Sequence, residues 1–139
     1  MKYIFSAIIF TIIFIACNST EKQEANAQKK YEKTKADLAT VEKETPLNFL
    51  VVNGGYKKNI LRQSVVRATI FNNAKMVTYK DVDVKLSFYS KTGVLLEEDH
   101  ETIYENVGPG ESVKFKSKYF TPKGTDSVGF KIVKATFVK

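Results

Sequence analysis

A single histidine, His100, sits among four acids, Glu97, Glu98, Asp99 and Glu101, the densest set of titratable side chains in the sequence. An imidazole beside a carboxylate can act as an acid–base pair, and clustered carboxylates can hold a divalent cation. Neither chemistry is completed here. Zinc needs three or four His or Cys ligands, general acid–base work needs a second partner, and adjacent acids on an extended strand point to opposite faces instead of converging. No Ser/His/Asp order, glycine-rich phosphate loop or nucleophile elbow accompanies them. The expectation is a protein that is not an enzyme, with no catalytic residue, no cofactor and no metal site.

What remains is binding chemistry. Lys114, Lys116 and Lys118 alternate with other residues, so on a strand they stand on one face about 6.8 Å apart, from the rise of about 3.4 Å per residue. Residues 45–139 hold 15 basic against nine acidic residues, and a basic body of this kind can meet an anionic polymer. The same lysines also keep an exposed strand from pairing with another chain. Tyr56 lies between Gly54-Gly55 and Lys57-Lys58, in a stretch from Asn53 to Asn59 expected to be a loop; Asn73 to Asp81, with Met76 and Tyr79, is expected to be another. An exposed aromatic on a loop is a common binding anchor. Tyr56, Lys57, Lys58, Lys114, Lys116 and Lys118 are therefore the candidate binding residues.

Cys17 has a different chemistry. It is the only cysteine, so no intramolecular disulfide can form. Lys2 provides a positive start and Ile4 to Ala16 an uncharged run of 13 residues, the layout of a secretion signal and too short for a bilayer, which needs about 20. Ordinary signal cleavage wants small residues at both −1 and −3, and Phe14 is large. Phe14-Ile15-Ala16-Cys17 resembles a bacterial lipobox, with Phe where Leu is usual. That resemblance implies a diacylglyceryl thioether on the Cys17 sulfur and an acylated new N-terminus. Several acyl chains at about 0.8 kcal/mol per buried CH₂ make such an anchor essentially permanent. The expected address is the non-cytoplasmic side of a bacterial membrane, in the outer membrane or periplasm.

The elements that carry these residues read as three segments: a signal peptide with its lipid-attachment cysteine (1–17), a polar spacer (18–45) and a β-sandwich domain (46–139). Glu21 to Glu44 holds six Lys and six acids with no Gly or Pro, and its apolar positions make no continuous stripe. A solvated, partly helical or disordered spacer is expected, closed by Pro46. Beyond it the hydrophobic period becomes two. Val82, Val84, Leu86 and Phe88 alternate with Asp83, Lys85, Ser87 and Tyr89; Val66, Ala68 and Ile70 and then Val113, Phe115, Ser117 and Tyr119 do the same. Phe49 and Val51 suggest an opening strand, and Val94 to Tyr104 a longer one. Near the end the apolar phase slips between Ile132 and Val133, which a strand accommodates with a bulge. Gly54-Gly55, Lys91-Thr92-Gly93 and Pro109-Gly110 read as turns, with positive φ expected at Gly93 and Gly110. Six to seven short strands in about 95 residues make an all-β antiparallel sandwich, immunoglobulin-like in size and spacing.

Four pieces of this pattern occur together: Ala68 to Asn73, a strand ending in Asn; Val82 to Ser90, a strand ending in an aromatic pair; Gly93-Val94-Leu95; and Gly108-Pro109-Gly110-Glu111-Ser112 before Phe115. From about residue 65 to 120 the chain resembles the immunoglobulin-like FxLYD-type domains of bacterial exported proteins, with Leu86-Ser87-Phe88-Tyr89-Ser90 at the position of the naming motif. The resemblance implies an accessory or binding module without catalytic residues. The expected role is a membrane-anchored binding module with an envelope protein or glycan as partner and no nucleic acid. The alternatives are a structural envelope component without a soluble ligand, or a weak binder of anionic envelope polymers.

Overall fold

The computed structural model describes residues 18–60 and 63–139, so Cys17 and the signal-like run lie outside the described residues. The chain forms two compact units, one up to Asp37 and one comprising Leu38–Lys139. A 27-residue helix, α1 (Asn18–Glu44), covers the stretch read as spacer. Its content of Ala, Lys, Glu and Gln favours helix, and from Lys22 to Asp37 every side chain is exposed. The helix ends where Thr45 turns both its backbone N–H and its hydroxyl onto the Val41 carbonyl, at 3.0 and 2.8 Å. Pro46 then opens a 3₁₀ turn, Pro46–Asn48.

Six antiparallel strands follow: β1 (Leu50–Lys58), β2 (Ser64–Asn72), β3 (Tyr79–Ser90), β4 (Leu95–Ile103), β5 (Ser112–Tyr119) and β6 (Thr125–Phe137). They form two three-stranded sheets, β1-β2-β5 and β4-β3-β6. The inward positions of the period-two runs fill the space between the sheets. Val66 and Ile70 from β2 meet Val82, Val84, Leu86 and Phe88 from β3 in one core, and the Phe88 and Tyr119 rings cross it with centroids 5.8 Å apart. The fold is an all-β antiparallel sandwich with one helix on its N-terminal side.

The phase slip near the C-terminus is a bulge. Asp83 pairs with Lys134 and Val84 with Ile132, leaving Val133 as the extra residue. A second irregularity lies on β3, where Asp81 has φ +49° and its carboxylate accepts the Thr136 hydroxyl at 3.0 Å. Gly93 and Gly110 have φ of +81° and +73°, as the turn pattern predicts.

Two loop expectations are corrected. Asn53 to Lys58 is strand, part of β1, and Asn59 and Gln63, hydrogen-bonded to each other, stand between its end and the start of β2. Gly54-Gly55 is therefore not a turn. Gly54 faces inward, where a Cβ would lie 2.6 Å from the Ala68 Cβ and 2.8 Å from the Phe130 ring of the other sheet, so the glycine serves close packing. Tyr79, placed by the sequence in the second loop, instead opens β3 and is fully buried.

The last turns of α1 belong to the compact unit that holds the sandwich. Ala39 packs on the core, and the Lys43 ammonium stands 5.6 Å from the centre of the Phe137 ring. Glu42 is fully buried, unlike the solvated residue the spacer composition suggests. Its carboxylate accepts three successive backbone N–H groups, from Lys75, Met76 and Val77, at 2.7, 2.9 and 3.0 Å. The Tyr79 hydroxyl donates to the Glu42 carbonyl at 2.7 Å. Asn72 braces the same loop: its amide donates to the Val77 and Val107 carbonyls, and its side-chain oxygen accepts the Ala74 N–H.

Candidate binding face

Strand alternation and register decide which side chains share the outer face of the β1-β2-β5 sheet. Val51, Asn53, Gly55 and Lys57 of β1 lie opposite Phe71, Thr69, Arg67 and Val65 of β2. These in turn lie opposite Ser112, Lys114, Lys116 and Lys118 of β5. The face thus carries five cations, Lys57, Arg67, Lys114, Lys116 and Lys118, and no acid. All five are exposed. None of them is ion-paired with an acid among the described residues, whose ion pairs are Lys80–Asp81, Lys85–Glu98 and His100–Asp83.

Arg67 is the centre of this arrangement. Its direct cross-strand partner on one side is Lys116, and on the other Gly55, whose open side offers nothing within 4 Å of a would-be Cβ. Like charges directly opposite on a sheet are destabilising. On the other sheet Lys85 also faces a cation, Lys131, but there the Glu98 carboxylate lies 2.8 Å from the Lys85 ammonium. That contact holds the Glu98 carboxyl below its ordinary range and lifts the Lys85 ammonium. Arg67 and Lys116 have no such neighbour.

The missing side chain at Gly55 leaves a furrow. One depression of about 360 Å³ lies among Gly55, Lys57, Val65 and Arg67, and a second of about 260 Å³ among Asn53, Arg67, Thr69, Lys114 and Lys116. Arg67 lines both, so the two adjoin there. Cations with an amide and a hydroxyl beside them can hold an anionic group and hydrogen-bond its neighbours. No carboxylate, imidazole or thiol is among them.

The outer face brings together Lys57, Lys114, Lys116 and Lys118 of the sequence candidates, while Tyr56 and Lys58, which also line the first depression, belong to the inward parity of β1. Tyr56 is on β1 and turned inward, half-buried, with its hydroxyl donating to the Asp126 carbonyl at 2.6 Å. Burial, helped by the nearby Asp126 charge, raises its phenol above the ordinary range. It is a packing residue of the sandwich and not a loop-tip anchor. Lys58, at the end of β1, donates to the Thr125 carbonyl at 3.1 Å. Arg67 was missed by the sequence reading, which drew only on the alternation of its apolar neighbours Val66, Ala68 and Ile70. Its parity with Gly55 and Lys116 appears only once the strands are in register.

The acids around His100 separate as alternation requires. Glu98 and His100 point outward, where the His100 Nδ1 lies 3.0 Å from Asp83, while Glu101 points inward and accepts the Tyr119 hydroxyl. Burial, then that carboxylate, pushes the Tyr119 phenol well above its usual range. Among the described residues no group of three or more His, Cys, Asp or Glu side chains could hold a metal ion, and no helix is long and apolar enough to cross a membrane. Compared with known proteins, the chain matches no family model, no curated protein and no solved structure.

Proposed function

We propose that this protein is a lipid-anchored, non-catalytic binding module of the bacterial envelope that presents the outer face of its β1-β2-β5 sheet to an envelope protein or glycan. The supporting observation is the acid-free face of five exposed cations, with Arg67 and Lys116 set opposite each other and left without a counter-charge. A side-chain arrangement that costs stability and is not compensated within the fold is the mark of a surface kept for a partner. The lipobox-like run before Cys17 supports the anchor, and the likeness to FxLYD-type domains supports an accessory role. Proteins tethered on the non-cytoplasmic side of a membrane rarely meet nucleic acid, so none is included.

Two experiments test this reading. Replacing Cys17 with Ser should release the protein from the membrane fraction or leave its precursor uncleaved, and intact mass of the native protein should show an acylated Cys17 as first residue. An unmodified N-terminus at Cys17 or Asn18 refutes the anchor. A photo-crosslinking residue at Thr69, within the furrow, should capture an envelope partner in intact cells, whereas one at Lys131 on the opposite sheet should not. Equal capture from both positions, or none from Thr69, refutes the binding face.

A further inference from the structure

We infer that the furrow through Arg67 takes an extended acidic glycan, whose carboxylate or phosphate groups bridge Arg67 and Lys116 and continue along Lys57 and Lys114. This rests on the binding reading above and names the class of ligand. The bridging follows from charge. Arg67 and Lys116 are direct cross-strand partners with no acid beside them, while the comparable Lys85–Lys131 pair is relieved from within the fold by Glu98. An anion supplied from outside would do for Arg67 and Lys116 what Glu98 does for Lys85.

The shape calls for an extended ligand. Two depressions share Arg67, with Lys57 lining one and Lys114 and Lys116 the other, so one small anion would satisfy only part of the site. A glycan suits the remaining lining. Asn53 and Thr69 offer an amide and a hydroxyl to sugar hydroxyls. The aromatic residues that touch the furrow, Tyr56 and Phe115, turn their rings to the core and give no stacking platform for nucleobases.

The test is titration of the full chain in detergent with a polygalacturonate decamer, with galacturonate monomer, single-stranded DNA of equal charge and anionic phospholipid vesicles as comparisons. The decamer should bind at least 100-fold more tightly than the monomer, and more tightly than DNA or vesicles. A phosphate-bearing glycan oligomer of the same length, run in parallel, tells which acidic group is preferred. Arg67→Gln and Lys116→Gln should each weaken decamer binding about tenfold and flatten its salt dependence. The joint control Lys91→Gln and Lys131→Gln, which removes two charges elsewhere, should leave it unchanged. Equal loss in that control, or equal binding of DNA or vesicles, overturns the inference. If neither the decamer nor the phosphate-bearing oligomer binds while crosslinking from Thr69 still captures a partner, the glycan class falls and the binding face stands; if crosslinking fails as well, both fall.

Discussion

Removing the Glu42 carboxylate would leave three backbone N–H groups, those of Lys75, Met76 and Val77, facing a space where their acceptor stood. Losing an acceptor from a buried donor costs about 1–3 kcal/mol, and the two outer donors can be reached in part by water. Glu42→Ala should therefore lower stability by roughly 2–4 kcal/mol in urea unfolding. Glu42→Gln should cost less, because its amide oxygen still accepts. Tyr79, which donates to the Glu42 carbonyl, makes the same corner sensitive to alkali. Burial, and secondarily the Glu42 charge, pushes its phenol up to about 12. An unfolded tyrosine titrates near 10, so between these values the folded form keeps a proton that the unfolded form has lost. The contribution is complete below about pH 10 and disappears as pH rises toward 12, in total about 2–3 kcal/mol. Tyr79→Phe should flatten the fall in unfolding free energy between pH 9 and 11.5 without abolishing it, since Tyr56 and Tyr119 shift in the same direction.

Strand β1 shows how one element serves two surfaces. Gly54 points into the sandwich and Gly55 out of it, so the two adjacent glycines answer different needs. Gly54→Ala forces its Cβ against the Ala68 Cβ, the Arg67 carbonyl and the Phe130 ring and should cost roughly 1–3 kcal/mol. Gly55→Ala meets nothing and should leave thermal stability unchanged or slightly raised, because it only restricts the unfolded chain. Thermal melts of the two variants distinguish close packing from a turn. The strands with strict alternation, β2, β3 and β5, were legible because one face of each meets a core and the other water. The bulge at Val133 was legible for the same reason: an apolar phase cannot slip on a regular strand. The start of β1 was legible from Phe49 and Val51, but its second half was not, since a Gly-Gly pair is a turn signal whenever the residue it must fit against is unknown, and Phe130 lies more than 70 positions away. The lysines of β5 were found from their spacing. Arg67 was not, because a cross-strand neighbour is a fact of register and not of local sequence.

At the scale of the molecule, the compact unit that holds the sandwich begins at Leu38, eight residues before the proline that closes the helical segment. A chain beginning at Leu38 keeps Ala39, Glu42 and Lys43 against the sandwich; one beginning at Pro46 loses all three. Both should give β-type far-UV circular dichroism, since every strand lies after Pro46. The shorter one should melt lower, on the order of 10 °C for a domain of this size. A helical signature dominating the spectrum of the shorter chain would contradict the all-β assignment. The loop from Lys75 to Val77 would then hold an array of donors shaped around a carboxylate that is no longer attached. Acetate or formate at high concentration should enter that array and restore part of the lost melting temperature, with chloride at equal ionic strength doing less. Severed from its own helix, the domain becomes a receptor for small carboxylic acids.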